Sequence, residues 1–183
     1  ALSSPLDAVT APVLIDGSTQ PGTLVHTPGV ALVSSGAFVG IDLGPGSGGS
    51  SVHGLAFGGF AGGFPGTAIL VESDNNFVTG NWIGVGPDGN ALAPSDVGIE
   101  VTGNGNQIGG SATALGNRVA GSNQGILVGQ IGGGIPVLNT TIQGNLLEGN
   151  AEGVFLDGVA STVVGNDDGP GGLEFLIGAR FLQ

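Results

Sequence analysis

A sequence repeat constrains the fold of this 183-residue chain more than any other feature. Short apolar triplets, most of them opened by glycine, recur along the chain with an isoleucine or valine at the same place in each. The recurring positions are Ile41, Ile69, Ile99, Ile126 and Val154, and the steps between them are 28, 30, 27 and 28 residues. A nearly fixed period in this range indicates a repeat architecture, in which each unit buries its apolar face against its neighbours.

Each repeat has the composition of short strands and turns. Its apolar triplets are broken by glycine and asparagine, and none has the long helical spacing that leucine-rich or ankyrin repeats require. Three short strands in each unit predict an all-β fold, a right-handed parallel β-helix (a solenoid) of about five to six coils. Successive coils are expected to stack at about 4.8 Å, which is the spacing of hydrogen-bonded strands.

Stacked coils place equivalent residues in columns. The isoleucine and valine column is predicted to lie in the interior. Two polar columns are predicted at the bends, where asparagine tolerates a left-handed conformation and its amide can bond the coils above and below. The first polar column contains Ser50, Asn76, Asn106, Thr140 and Thr162, and the second contains Asn81, Asn117 and Asn145.

Charge and composition exclude several classes of function. Two arginines, no lysine and fourteen acidic residues give a net charge of −12, whereas nucleic-acid binding requires cations against phosphates. An anionic membrane surface is disfavoured for the same reason. The sequence has no apolar run long enough for a transmembrane segment. It has no cysteine, so it has neither a disulfide framework nor a thiolate metal site.

The whole chain, residues 1–183, is predicted to form a single parallel β-helix domain. Residues 1–12 are expected to be an N-terminal cap segment and residues 13–166 the coils. The pattern weakens beyond this point, so residues 167–183 are expected to form a last strand or a C-terminal cap.

The string PVLIDGSTQPG at residues 12–22 precedes repeats of the form N-x-I-x-G-N-x-I-G, as in NFVTGNWIG at residues 76–84. In these motifs the chain resembles the bacterial right-handed parallel β-helix repeat proteins, whose coils are similar to those of the pectate-lyase-like superfamily. The resemblance extends from about Pro12 to Asn166. It implies a fold and a secreted or cell-surface location, and it implies no reaction.

Enzymes of the superfamily that these coils resemble carry their catalysis on the outer face of the helix, with carboxylate-bound calcium and a base in the lyases and clustered aspartates in the hydrolases. No acidic residue stands at the positions that match Arg118 in neighbouring coils. Asp42 and Glu100 share an outward column but lie two coils apart, about 10 Å, which is marginal for an inverting pair of carboxylates. We therefore expect no enzyme activity and no catalytic residue.

Two outward residues are the candidates for carbohydrate binding. Trp82, the one tryptophan, is predicted to present an indole on which a sugar can stack, and Arg118 is its equivalent in the next coil. No cofactor and no metal site are expected, because the two histidines are isolated. The oxygen-rich turns at Asp88 and at Asp167 and Asp168 suit structural calcium, but they follow no established calcium-binding pattern, so calcium is not indicated.

The outer surface also suggests self-association. The middle residues of the glycine-led strands alternate with core residues and should face outward. Three of them are apolar, Leu70, Leu127 and Phe155, and an apolar outer face suggests a covering partner. The predicted function is a structural or adhesive module, a rigid scaffold of a secreted or cell-surface bacterial protein that forms a homo-oligomer or filament. The alternative is a β-helix protein that binds or acts on polysaccharide.

Overall fold

The computed structural model describes residues 1–21, 24, 26–129, 136–157, 160–167 and 177–180. Within these residues the chain is all-β, with three parallel sheets built from short strands. The described helical structure is two short 3₁₀ segments, Gly17–Thr19 and Thr113–Leu115.

Each sheet collects one strand from each coil, so that neighbouring strands in space are separated by one turn of the chain. Sheet A contains β1 (Leu14–Asp16), β4 (Ser51–His53), β7 (Phe77–Thr79), β10 (Gln107–Gly109), β13 (Leu138–Gln143) and β16 (Ala160–Val164). Sheet B contains β2 (Val30–Val33), β5 (Leu55–Gly58), β8 (Trp82–Ile83), β11 (Arg118–Ala120) and β14 (Leu146–Glu148). Sheet C contains β3 (Ile41–Leu43), β6 (Thr67–Val71), β9 (Val97–Val101), β12 (Gln124–Val128), β15 (Glu152–Asp157) and β17 (Ile177–Arg180).

The chain passes from sheet A to sheet B to sheet C and then returns to sheet A one layer further along. The result is a parallel β-solenoid of about four turns, which confirms the predicted all-β architecture. The number of turns is slightly smaller than the expected five to six coils. Sheet B has five strands where the other two sheets have six, because the last coil contributes no described strand to it.

The predicted interior column is confirmed. Ile41, Ile69, Ile99, Ile126 and Val154 pair in register from coil to coil, and all five side chains are buried. The stiff β-branched side chains suit this position because they pack well on a pleated surface. The sequence period therefore translates directly into the vertical alignment of the core.

The asparagine column between sheets A and B forms a continuous hydrogen-bond ladder, as predicted. Nδ2 of Asn81 donates to Oδ1 of Asn117 at 3.1 Å, and Nδ2 of Asn117 donates to Oδ1 of Asn145 at 2.9 Å. The same oxygens accept the backbone N–H groups of Asn81 and Asn117, and Asn166 continues the ladder by one more coil. These bonds fix the stacking of the coils, because a buried polar group left without a partner costs about 1–3 kcal/mol.

The second polar column is shorter. Oδ1 of Asn76 accepts the backbone N–H of Ser50, and Oδ1 of Asn106 accepts that of Asn76, both at 2.8 Å. The prediction that Thr162 continues this column in register is wrong. Thr162 pairs with Thr141, one residue from the expected position, because the pairing of β13 with β16 contains a register shift.

Gly144 illustrates why glycine recurs between sheets A and B. Its φ angle is +65°, a left-handed conformation that glycine adopts without steric penalty. A Cβ atom at this position would also lie 2.2 Å from the carbonyl oxygen of Gly110 in the preceding coil. The turn therefore excludes a side chain at residue 144, both because of its backbone conformation and because the preceding coil lies so close.

The N-terminal segment, residues 1–12, lies along the first coil. Leu2 forms a parallel bridge with Ser34 beyond β2, and Val9 forms one with Leu43 in β3. These contacts cover the ends of sheets B and C. Among the described residues, no comparable bridge covers the outer edge of β1 in sheet A.

Candidate functional site

The outer face of sheet C carries the column that was predicted to face outward. Asp42, Leu70, Glu100, Leu127 and Phe155 pair in register across five strands. Leu70 and Phe155 are half-buried, whereas Leu127 is only 2 % exposed. The chain itself covers Leu127, which corrects the expectation that this leucine presents an open contact. Self-association through Leu70 and Phe155 stays a prediction.

A groove lies on this face, on both sides of Glu100. One cavity, of about 670 Å³, is lined by Gly63, Thr67, Asp96, Val97, Asn123 and Leu127. A second cavity, of about 300 Å³, is lined by Leu70, Glu72, Thr102 and Val137. Three residues line both cavities, namely Phe64, Pro65 and Glu100. We call these two cavities together the aromatic-edged groove.

Phe64 stands at the edge of the groove and is 96 % exposed. Its loop is nevertheless fixed, because Oδ2 of Asp96 accepts the backbone N–H of Gly62 at 3.1 Å and that of Gly63 at 2.9 Å. The loop also closes on itself through the N–H of Gly66, which donates to the carbonyl of Gly63 at 3.0 Å. Phe64 therefore presents its ring to solvent at the edge of the groove, on a loop whose backbone is held.

The carboxyl groups of this face are destabilised in their charged forms. Burial raises the pKa of Glu100, with repulsion from Glu72 acting in the same direction, although a hydrogen bond from Oγ1 of Thr67 at 3.2 Å opposes the shift. Burial also raises the pKa of Glu72, with repulsion from Asp42 as a second cause. Burial raises the pKa of Asp42 as well. These acids would each gain from a neighbouring cation.

The groove combines an apolar platform with hydrogen-bond acceptors. Phe64 and Pro65 supply the apolar part, and the carboxyl groups of Glu72 and Glu100 supply acceptor oxygens. None of the described residues that line it is basic. Such a surface suits a molecule that has an apolar ring face and donor groups along its edge.

The two residues predicted to bind carbohydrate meet on the outer face of sheet B. Arg118 pairs in register with Trp82, and its guanidinium carbon lies 5.6 Å from the centroid of the indole ring. Nε of Arg118 also donates to Oε2 of Glu148 at 2.5 Å. Glu148 lies in the next coil, but the residue that pairs with Arg118 there is Leu146. A comparison of equivalent positions in the sequence therefore could not identify Glu148 as the partner of Arg118. The role of both residues in carbohydrate binding stays a prediction.

The histidines and the acidic turns form no group of three or more ligands that could hold a metal ion within the described part of the chain. Nδ1 of His53 lies 3.0 Å from Oγ1 of Thr79 in the next coil. The Asp88 carboxylate accepts hydrogen bonds from the side chain and the backbone of Asn90, and these bonds hold the pKa of Asp88 below its usual value. The Asp88 carboxylate therefore has its hydrogen-bond partners within its own turn. In the second acidic turn, Asp168 lies outside the described residues.

The sequence did not identify Phe64, Glu72 or Asp96 as site residues. One signal for Phe64 was present in the string GGFAGGFPG at residues 58–66. It places Phe64 among turn residues, at a position that the repeat does not assign to the core. Asp96 could not be identified in this way. Its carboxylate holds a loop that precedes it by more than thirty residues, and only the solenoid brings the two together.

Comparison with known proteins identifies no relative, since no family model, no curated protein and no solved structure matches this chain. Among the described residues there is also no helix long and apolar enough to cross a lipid bilayer. What is shown is an architecture, the parallel β-solenoid. The likeness to bacterial pectate-lyase-like proteins rests on the sequence motifs.

Proposed function

We propose that this chain is a rigid adhesive module of a secreted or cell-surface bacterial protein, and that it adheres by binding carbohydrate in the aromatic-edged groove. One observation carries the proposal. Phe64 is 96 % exposed at the edge of the groove, although the backbone of its loop is held by Asp96. A loop whose backbone is held before binding loses little backbone freedom when a ligand arrives, so less of the contact energy is lost to ordering.

A sugar ring matches the chemistry of this groove. A pyranose has C–H groups on its faces and hydroxyl groups along its edge, and its face can stack on the aromatic ring of Phe64. Its hydroxyl groups can then donate to the carboxyl oxygens of Glu100 and Glu72, which line the same cavities. The groove thus offers both kinds of contact that a carbohydrate needs.

The interior supports the role of a rigid scaffold. The ladder that runs through Asn81, Asn117, Asn145 and Asn166 ties each coil to the next by buried hydrogen bonds. Solenoids of this kind transmit stability only between neighbouring repeats, so hydrogen bonds at the successive coil boundaries from Asn81 to Asn166 stiffen this part of the stack. A stiff stack suits a module that must hold its binding face away from other parts of a larger assembly.

The proposal is binding without cleavage. Asp42 and Glu100, the carboxyl groups that share one outward column, are separated by Leu70 in the coil between them. Asp96 uses both carboxylate oxygens to hold the Phe64 loop and Asn123. We expect no turnover of acidic polysaccharides with or without calcium. A turnover that survives purification and disappears in the Arg118→Ala variant would contradict this part of the proposal.

A glycan array tests the binding function. The intact chain should bind a subset of glycans, and Phe64→Ala should weaken this binding by about tenfold, since a stacked aromatic contact contributes on the order of 1–2 kcal/mol. Phe77→Ala is the matched control, because Phe77 is 45 % exposed on the outer face of sheet A, away from the groove. Binding that is absent for every glycan, or that Phe64→Ala leaves unchanged, contradicts the proposal.

Self-association is a second candidate, favoured by the end of the solenoid that contains β1. Leu14 in β1 is 70 % exposed, and an apolar cavity of about 360 Å³ at this end is lined by first-coil residues such as Ile15, Val30 and Leu32. An uncovered strand edge next to apolar surface favours pairing with another chain.

Sedimentation of the intact chain at increasing concentration tests this second candidate. We expect association that Leu14→Lys abolishes, because the charge lies at the stacking end. Phe77→Lys is the control, since β7 lies in the middle of the same sheet. A chain that remains monomeric at high concentration contradicts the candidate.

A further inference from the structure

We propose that the ligand of the aromatic-edged groove is a glycan with free amino groups, in which an ammonium group lies between Glu72 and Glu100 while the sugar ring stacks on Phe64. The inference rests on the proposed carbohydrate function and specifies the class of glycan. A glucosamine oligomer is the simplest member of this class.

The positions of the two glutamates suit one shared cation. Glu100 pairs with Leu70, two residues before Glu72, so the glutamates are diagonal neighbours on adjacent coils. Glu72 directly follows the last residue of β6, and it lines the smaller cavity together with Leu70. Strand spacing and rise give a Cα separation of about 8 Å, a distance that two glutamate side chains can bracket around a single ammonium group. Both residues line the smaller cavity.

The electrostatics of the groove favour a cation over a neutral group. The carboxyl groups of Glu72 and Glu100 repel each other, and Glu100 is half-buried whereas Glu72 is exposed. A hydroxyl group can donate a hydrogen bond to either carboxylate, but it cannot offset the repulsion between them. An ammonium group does both, because charge-assisted hydrogen bonds to carboxylates are roughly twice as strong as neutral ones.

The protein itself offers few cations for this place. The sequence has no lysine, Arg118 is held on sheet B by Glu148, and Arg180 lies in β17, three strands away from the strand of Glu100. Among the described residues that line the groove, none carries a positive charge. The complementary charge is therefore expected to come from the ligand.

The same charges act against other glycans. The chain has a net charge of −12, so a polymer of uronic acids meets like charge both at long range and inside the groove. An N-acetylated amino sugar keeps the ring that stacks on Phe64 but has lost the charge that the two glutamates attract. A basic peptide has the charge but lacks the rigid ring with donors on its edge. These differences make the amino glycan the best match for the combined surface.

Calorimetric titration with three oligomers of equal length tests the inference, namely glucosamine, N-acetylglucosamine and galacturonic acid oligomers, at a pH where the amines are protonated. We expect the glucosamine oligomer to bind at least about tenfold more tightly than the N-acetylated one, a difference that corresponds to one charge-assisted contact. This preference should shrink in high salt, since the charged groups are partly exposed to solvent.

Substitutions of single glutamates test which carboxyl groups cause the preference for the glucosamine oligomer. Glu100→Gln and Glu72→Gln should each reduce the preference for the glucosamine oligomer by about tenfold or more. Glu148→Gln removes the same charge from the outer face of sheet B and should leave the preference unchanged. Circular dichroism of each variant confirms that the solenoid is intact.

Several results would overturn the inference. They are equal affinity for the glucosamine and N-acetylglucosamine oligomers, tighter binding of the galacturonic acid oligomer, binding of a lysine oligomer as tight as that of the glucosamine oligomer, and no response to Glu100→Gln. If neutral glycans bind at least as tightly as the glucosamine oligomer, in a manner that requires Phe64, the proposed carbohydrate function survives and this inference fails. If no glycan binds, both fail.

Discussion

Two outer faces of the solenoid carry aromatic and charged residues, and they differ in whether those residues have partners within the chain. On sheet B, Arg118 lies over Trp82 and forms an ion pair with Glu148, so the charges and the indole are bound to one another. On sheet C, Phe64 is exposed and Glu100 and Glu72 have neighbouring charge of their own sign. On sheet B the charges are paired within the chain, whereas the acids of the groove on sheet C repel neighbouring acids and have no basic residue among the described lining residues.

The difference shows that the type of residue alone does not locate a site. Tryptophan and arginine are frequent binding residues, and the chain has one tryptophan, yet its cation–π partner already lies over the ring. Phenylalanine is a less specific signal, but Phe64 has been left without such a partner among the described residues. Unsatisfied groups next to a cavity are therefore better indicators of binding than the identity of the side chains.

The largest expected effect comes from a change beneath both faces. Ile99→Asp places a carboxylate in the fully buried column between Ile69 and Ile126. An unpaired buried charge is expected to destabilise the fold by about 3–5 kcal/mol or more. Chemical denaturation measures the loss, and both outer faces should be lost together.

The control for this variant is Gln107→Asp, which puts the same carboxylate on the half-buried outward side of β10 in the same region of the solenoid. It should cost far less stability. If Ile99→Asp unfolds no more easily than the wild-type chain, the assignment of this column to the core is wrong.

The interior could be predicted because the repeat determines it. Once Ile69, Ile99 and Ile126 are recognised as equivalent, stacking of the coils fixes their register and their burial, and the same holds for Asn81 and Asn117. Each of these positions obeys a local rule that returns in the next coil. The predicted columns are correct wherever the repeat is unbroken, and the Thr162 prediction is wrong where a register shift interrupts it.

The groove could not be predicted because it breaks the repeat. The loop that presents Phe64 is not part of the repeated pattern, and its conformation depends on hydrogen bonds to Asp96 from a distant part of the sequence. The column rule gave the direction of Leu127 but not its burial, since alternation along a strand does not determine what packs over an outward side chain. The proposed site thus lies in a segment that carries little periodic information.

The next largest effect is expected at the residue that shapes the groove. Asp96→Ala removes the acceptor for the N–H groups of Gly62 and Gly63, so the Phe64 loop should lose its fixed position. We expect a loss of about 1–3 kcal/mol in the free energy of unfolding and a loss of glycan affinity comparable to that of Phe64→Ala. Denaturation and titration measure the two effects separately.

A matched control for the loop is Asp88→Ala. Asp88 also holds a turn through two hydrogen bonds, both to Asn90, but it does not line the groove. It should reduce stability slightly and leave glycan affinity unchanged. Equal loss of affinity in the two variants would mean that Asp96 does not act by positioning Phe64.

A smaller effect is expected on the face of sheet B. Arg118→Ala breaks the ion pair with Glu148 and uncovers the indole of Trp82. A partly exposed ion pair and a cation–π contact together contribute about 1 kcal/mol. The single tryptophan provides a second readout, because greater contact with water should shift its fluorescence emission to longer wavelength. If stability and emission are both unchanged, the ion pair and the cation–π contact do not stabilise this face as described.

The smallest effect is the pH dependence of stability that Glu100 contributes. Its pKa in the folded chain is raised above the ordinary value of 4.5, by burial first and by repulsion from Glu72 as well. Between the ordinary and the raised pKa, the folded chain binds more protons than the unfolded chain, so stability falls as the pH rises through this window. Glu100→Gln should therefore be more stable than the wild-type chain at neutral pH, by about 0.5–1 kcal/mol for a partly exposed group, and its stability should depend less on pH.

Thr67→Val should act in the opposite direction, because it removes the hydrogen bond that favours the ionised form of Glu100. Urea denaturation at a series of pH values above 4.5 measures both slopes, and the account is wrong if Glu100→Gln is the less stable chain at neutral pH.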